Sequence, residues 1–124
     1  MWLMVLTAYL TLLQVDLCLT CGGFSALHKS IRSQAVKKKT PSGETVERVC
    51  SAVDVACIWY WKEVFCLQRS AATARLLKKH AVPACLVIGV QRLPFKAHAW
   101  VEVEGRVVND KVYTPNLYRV LERC

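Results

Sequence analysis

The first 21 residues are nearly continuous apolar sequence, interrupted by Gln14, Asp16 and scattered threonines. Leu3, Leu6, Leu10, Leu13 and Leu17 recur at three- and four-residue steps, which predicts a helix burying that leucine face. Its opposite face is also rather apolar, so covering on two sides is expected. A membrane span is the competing reading, but Asp16 would then lie toward one end of a segment only just long enough to cross. A signal peptide fits poorly, because no positive charge precedes the apolar run and no small-residue cleavage site is evident. A buried helix is therefore expected, with a membrane location disfavoured. Gly22-Gly23 should end it, and residues 24–36 then form a short basic segment with Leu27, Ile31 and Ala35 facing inward.

The pattern changes at Lys37-Lys38-Lys39-Thr40-Pro41-Ser42-Gly43, a linker of charge, Pro, Ser and Gly. Ser42 or Thr45 can cap a second helix with Glu44 and Glu47 in its first turn. Val46, Val49, Cys50, Val53, Cys57 and Trp61 recur at helical steps, so this helix should end near Trp61 or Lys62. Trp59, Tyr60 and Trp61 read as its bulky packing end. A third helix begins near Cys66, runs through strong helix formers, and closes on Lys78, Lys79 and His80, which complement its dipole. Pro83 stops it. Residues 84–90 form an apolar run of strand length, and residues 91–96 a loop containing Pro94. Alternation over residues 98–103, a Glu104-Gly105 turn and Val107-Val108 predict a hairpin. In the tail, Val112, Tyr113, Leu117, Tyr118, Val120 and Leu121 should pack back on the body.

A chain of 124 residues is one domain by size. It divides into an apolar N-terminal helical segment (residues 1–36), the linker (37–43) and a core (44–124). The hydrophobic share of 54% means that much of the chain must be covered or find a partner. Seventeen basic against nine acidic residues give +8, which favours acidic partners and raises nucleic acid as a class. No basic run is interleaved with aromatics in a nucleic-acid-binding pattern, so a solvated basic surface is the expectation. Seven cysteines cannot all pair within the chain. Cys50, Cys57 and Cys85 sit among apolar residues as core fillers. Cys18 and Cys21 have metal or redox spacing, but no second Cys or His pair accompanies them, so no metal is expected. This usage fits a reducing cytosol.

The candidate chemistry lies between Phe65 and Asp110. A thiolate is the nucleophile in thiol catalysis, and an ordinary cysteine is mostly protonated at neutral pH. The amino end of a helix and a neighbouring imidazolium both favour the charged form. Cys66 falls in or just before the first turn of its helix, and His98 is the histidine placed on a strand among apolar residues. Cys85 is the rival nucleophile, but it sits within an apolar strand. For the carboxylate, hairpin parity decides. A two-residue loop at Glu104-Gly105 would pair Ala99 with Asp110 and turn the carboxylate away from the imidazole. A three-residue loop, Val103-Glu104-Gly105, would set His98 directly opposite Asp110. The expectation is the three-residue loop with positive φ at Gly105.

The runs Cys66-Leu67-x-Arg69-Ser70, Arg75-Leu76-Leu77, Val82-Pro83-Ala84, Leu86-Val87-Ile88-Gly89-Val90, Phe95-x-Ala97-His98-Ala99-Trp100-Val101-Glu102 and Val107-Val108-Asn109-Asp110 resemble the transglutaminase-like proteins of lasso-peptide biosynthesis, which are leader peptidases. The resemblance is specific over residues 66–110. It implies a transglutaminase-like or papain-like α+β fold, with N-terminal helices and a catalytic-cysteine helix packed on a small antiparallel sheet. It also implies Cys66 as nucleophile, His98 as general acid/base and Asp110 as its orienting partner, with no cofactor. The partners it implies are a precursor peptide with its leader, a separate PqqD-like leader-recognition protein, and a separate lasso cyclase. The apolar N-terminal helix and the aromatics offer a surface for such partners. Ala81 departs from the pattern, since the family commonly has glycine after the helix. Two other readings stay open: a transglutaminase-like acyl transferase using the same triad, and a non-catalytic basic docking or nucleic-acid-binding module.

Overall fold

The computed structural model describes residues 2–34, 43–92 and 95–124. In chain order the elements are α1 (Trp2–Ser33), α2 (Gly43–Trp59), α3 (Cys66–Lys79), β1 (Ala84–Gln91), β2 (Lys96–Val103), β3 (Arg106–Val107), α4 (Thr114–Leu117) and β4 (Arg119–Arg123). The four strands form one antiparallel sheet in the order β3-β2-β1-β4, with α3 packed on it and α1 and α2 packed on α3, an α+β arrangement. Most of the linker expected at residues 37–43 lies outside the described residues, as do Ala35, the Ser42 cap and Pro94; Gly43 opens α2.

The apolar N-terminus is a helix, but it buries the other face. Val5, Ala8, Thr11, Leu12 and Val15 are buried against α2 and α3, whereas Leu3, Leu6, Leu10 and Leu17 are exposed. Both faces are apolar, so periodicity could not choose between them. Side-chain size did: Ala8 and Thr11 let neighbouring helices approach, while a leucine stripe would hold them apart. Asp16, the charge within this run, accepts a hydrogen bond from the Tyr60 hydroxyl (3.1 Å) and pairs with Lys62 (2.8 Å). By length and mean hydropathy α1 qualifies as a membrane-crossing helix, with 28% of the apolar window buried in the protein.

Gly22-Gly23 bends this helix instead of ending it. Gly23 has φ 70° and ψ −171°, a conformation essentially restricted to glycine, and the chain re-enters a helix at once. Leu27 and Ile31 beyond the bend are fully buried, as their spacing predicted. The bent half is tied to α3 by buried Lys78, whose ammonium donates to Ile31 O (2.7 Å), and by Gln34 Nε2, which donates to Arg75 O (3.2 Å).

α2 ends at Trp59, earlier than expected, and its aromatic end divides. Tyr60 is buried against Tyr9, whereas Trp59 and Trp61 are exposed. α3 closes in a Schellman arrangement, with Ala81 N–H donating to Lys78 O and Val82 N–H to Leu77 O. Ala81 therefore takes the left-handed conformation, φ 63°, in the place where glycine is usual.

Strand alternation sorts the sheet. Leu86, Ala99, Val101 and Val103 belong to the core shared with Ala71, Ala74 and Leu77 of α3. The opposite face of β2 carries His98, Trp100 and Glu102, and the β1 partners of the first two are Gly89 and Val87. Gly89 is required there, because a Cβ would lie 2.7 Å from the Trp100 ring and 2.8 Å from Tyr118 Cβ. The tail does more than pack back: residues 119–123 add an edge strand to β1, leaving Val112, Tyr113, Leu117 and Leu121 exposed.

Candidate active site

Cys66 is the first residue of α3, and its cap, Phe65, supplies no side-chain hydrogen bond. The first-turn N–H groups thus face no capping side chain, at the helix end that favours negative charge. One turn along the same face, the Ser70 hydroxyl donates to Ala99 O (2.9 Å), docking α3 across β2. That contact directs Cys66 toward the preceding stretch of β2. Cys66 and His98 line one cleft of about 270 Å³, whose other walls are Phe24, Leu67, Ile88, Ala97 and Ala99.

The imidazole is held from two sides. His98 Nε2 lies 2.5 Å from Asp110 Oδ2, with both side chains about a quarter exposed. The Tyr118 ring stacks on the imidazole at 5.3 Å, with Trp100 behind at 6.1 Å. Trp100 Nε1 in turn donates to Glu102, which also accepts from Arg123 (2.7 Å). Because Asp110 engages Nε2, Nδ1 is the nitrogen left for a thiol. Asp110 also accepts from the Lys111 N–H (2.8 Å). Burial alone would raise its pKa, but the His98 and Lys111 hydrogen bonds and the nearby Arg69 charge outweigh this and hold the carboxyl below the usual range.

The route by which Asp110 reaches His98 differs from the expected one. The hairpin loop is the two-residue Glu104-Gly105, with φ 52° and 77°, and Val103 pairs Arg106. This is the type I′ geometry that matches strand twist, reached because Glu104 itself accepts the left-handed conformation. Parity in that register would turn Asp110 away, but β3 ends at Val107 and the ladder does not continue to Asp110. Val108 N–H still donates to Val101 O (3.0 Å). At the next step the side chain of Asn109 accepts from Val101 N–H (2.8 Å), where a backbone carbonyl would serve in a regular ladder. Asn109 Nδ2 donates to Ser70 Oγ (3.0 Å), and Arg69 Nη2 donates to Asn109 O (2.8 Å). These bonds pull the chain off the ladder and bring Asp110 to the imidazole. Sequence reasoning missed Asn109, Ser70, Tyr118 and Phe24; only Asn109, a turn-prone residue beside the carboxylate, carried a local signal.

The other cysteines lie elsewhere. Cys85 is on β1, opposite Glu102, outside the cleft. Burial, with Asp54 adding and Arg69 opposing, pushes the Cys50 thiol up to about 11, and this thiol points at Val108 O. Cys57 is half-buried beside the core, Cys18 packs near it and Cys21 is exposed. His28 lies 3.1 Å from Glu122, and His80 caps α3.

Residues 9–123 match the family model of the transglutaminase-like superfamily. The chain belongs to that superfamily. The α+β arrangement, with a cysteine-bearing helix on a small antiparallel sheet, accords with this membership. Among relatives of the superfamily chain, the microcin J25-processing protein McjB of Escherichia coli is 48% identical over 52 residues. That match covers 42% of this chain and 24% of McjB, so it spans about a quarter of the relative's length. No solved structure matches.

Proposed function

We propose that this transglutaminase-like protein is a cysteine peptidase that removes the leader from a lasso-peptide precursor. The observation that supports this most is the joint placement of Cys66, at an uncapped helix start, and the Asp110-paired His98 on one cleft. The similarity to a microcin-processing protein supports the substrate class.

In this reading Cys66 Sγ attacks the carbonyl carbon at the leader–core junction as its proton passes to His98 Nδ1. The tetrahedral oxyanion is met by the Cys66 N–H. The C–N bond then breaks, the core amine leaves with the proton from His98, and the leader remains as a thioester on Cys66. Water, deprotonated by His98, hydrolyses the thioester and releases a leader carboxylate and the free thiol. Asp110 holds the ring in the tautomer with hydrogen on Nε2. Hydrolysis is preferred over transfer to an amine, and the mass of the released leader separates the two: a free acid for hydrolysis, an amide for transfer.

A PqqD-like leader-recognition protein and a lasso cyclase are the proposed partners, and the exposed leucine stripe of α1 with Trp59 and Trp61 is the proposed contact surface. Co-elution of the purified proteins tests this; full cleavage by the chain alone without co-elution would count against it. A reducing cytosol is the proposed location. The function itself is tested by incubating a lasso precursor and the recognition protein with this protein and, separately, with Cys66→Ala. Cleavage lost in Cys66→Ala, with native circular dichroism, is expected; cleavage retained would refute the reading.

A further inference from the structure

The cleft at Cys66 has a feature that the thiol chemistry does not use. Among the described residues its walls, apart from Cys66 and His98, are Phe24, Leu67, Ile88, Ala97 and Ala99, none bearing a polar side-chain atom. Its volume of about 270 Å³ is just below the range of small-molecule pockets, roughly 300–1,000 Å³, and suits one side chain better than a whole ligand. A charged side chain entering it would lose water and find, among these described walls, no partner beyond the imidazole and the thiol.

Four of the walls come with the catalytic elements: Leu67 from α3, Ile88 from β1, and Ala97 and Ala99 from β2. Phe24 does not. It is brought there by the Gly23 bend, without which the helix direction after residue 22 would differ. Its ring packs on His28 at 5.8 Å, and His28 Nε2 lies 3.1 Å from Glu122 of β4. The bent half of α1 is itself pinned to α3 through Lys78 and Gln34. Phe24 is therefore a supported wall, though its outer surface is open to solvent.

Resting on the peptidase reading, we propose that this cleft is a specificity subsite for one uncharged, medium-sized apolar side chain beside the scissile bond, with Phe24 setting its size limit. The N-terminal helix thereby builds part of the substrate site.

The test uses acetylated dipeptidyl chloromethyl ketones in which the residue next to the ketone, or the one before it, is varied among Gly, Val, Leu, Phe, Asp and Lys. The rate of Cys66 alkylation is read by intact mass and peptide mapping. At one of the two positions Val or Leu should react at least about tenfold faster than Asp or Lys, the scale on which an apolar pocket discriminates. Phe24→Ala, an exposed position whose loss leaves the core intact, should shift the preference at that position toward Phe by about threefold or more. Gly23→Ala should blunt the preference while its circular dichroism stays helical. Rates within about twofold across all side chains, or a preference unmoved by Phe24→Ala, would overturn the subsite and leave Cys66 as nucleophile. Failure of every probe to modify Cys66, with Cys21 modified, would overturn the peptidase reading and the subsite with it.

Discussion

Asn109→Ala removes the side chain that substitutes for a strand carbonyl. Val101 is fully buried, and its N–H donates to Asn109 Oδ1 at 2.8 Å. Truncation strands that donor, which costs about 1–3 kcal/mol. Ser70 loses the bond from Nδ2 but keeps its own to Ala99 O, so the added loss is smaller, about 0.5 kcal/mol. Arg69 binds the main-chain oxygen of Asn109 and is not directly removed. The sum is about 1.5–3.5 kcal/mol, which for a chain of this size lowers Tm by about 6–13 °C. Urea unfolding followed by circular dichroism should show the loss with an unchanged m-value, and the Val101 amide should exchange faster. Asn109→Asp, which can still accept from Val101 but cannot donate to Ser70, should lose less. With Asp110 freed from its turn, kcat on a cleaved precursor should fall more than KM changes. A stability change below about 0.5 kcal/mol, within the range of an ordinary surface substitution, would refute this account of how Asp110 is placed.

Further outcomes follow from the same geometry. Asp110 has a lowered pKa in the folded chain, so its stabilising contribution is present above the unfolded carboxylate value near 3.8 and is lost as pH falls through the lower folded value. The stability difference between the protein and Asp110→Asn, measured by urea unfolding, should therefore shrink as pH drops below about 4; a pH-independent difference would contradict it. Ala81→Gly should stabilise by about 1 kcal/mol in the same assay, because alanine at φ 63° bears a left-handed penalty that glycine does not. Gly89→Ala should destabilise by about 1–3 kcal/mol through collision with Trp100 and Tyr118, and should lower kcat by displacing the ring stacked on His98. Cys50, with its thiol raised to about 11, should react with iodoacetamide at pH 8 much more slowly than exposed Cys21. Equal labelling in peptide maps would contradict that.

What the sequence showed depended on whether a local rule had one answer. Helix formers from Cys66 to Lys79 and Pro83 beyond them allowed one reading, and α3 begins at Cys66. The strand pattern of residues 84–90 was equally restrictive. α1 was different, because two apolar faces satisfy the same period, and only the size of Ala8 and Thr11 against their neighbours decides which is buried. The hairpin loop turned on Glu104 entering the left-handed region, which a propensity for glycine does not foresee. His98 and Asp110 meet although the register argument for them failed, because the bonds made by Asn109 lie across 8 and 39 residues and leave no periodic trace. Edge strand β4 was hidden in a tail rich in Arg and Glu, the composition that protects exposed sheet edges.

Mass spectrometry of the quenched cleavage reaction in ¹⁸O water tests the central claim most directly. A leader thioester mapped to Cys66, followed by release of leader acid carrying one ¹⁸O, is the predicted result. Leader release without any adduct on Cys66, persisting in Cys66→Ala, would contradict it.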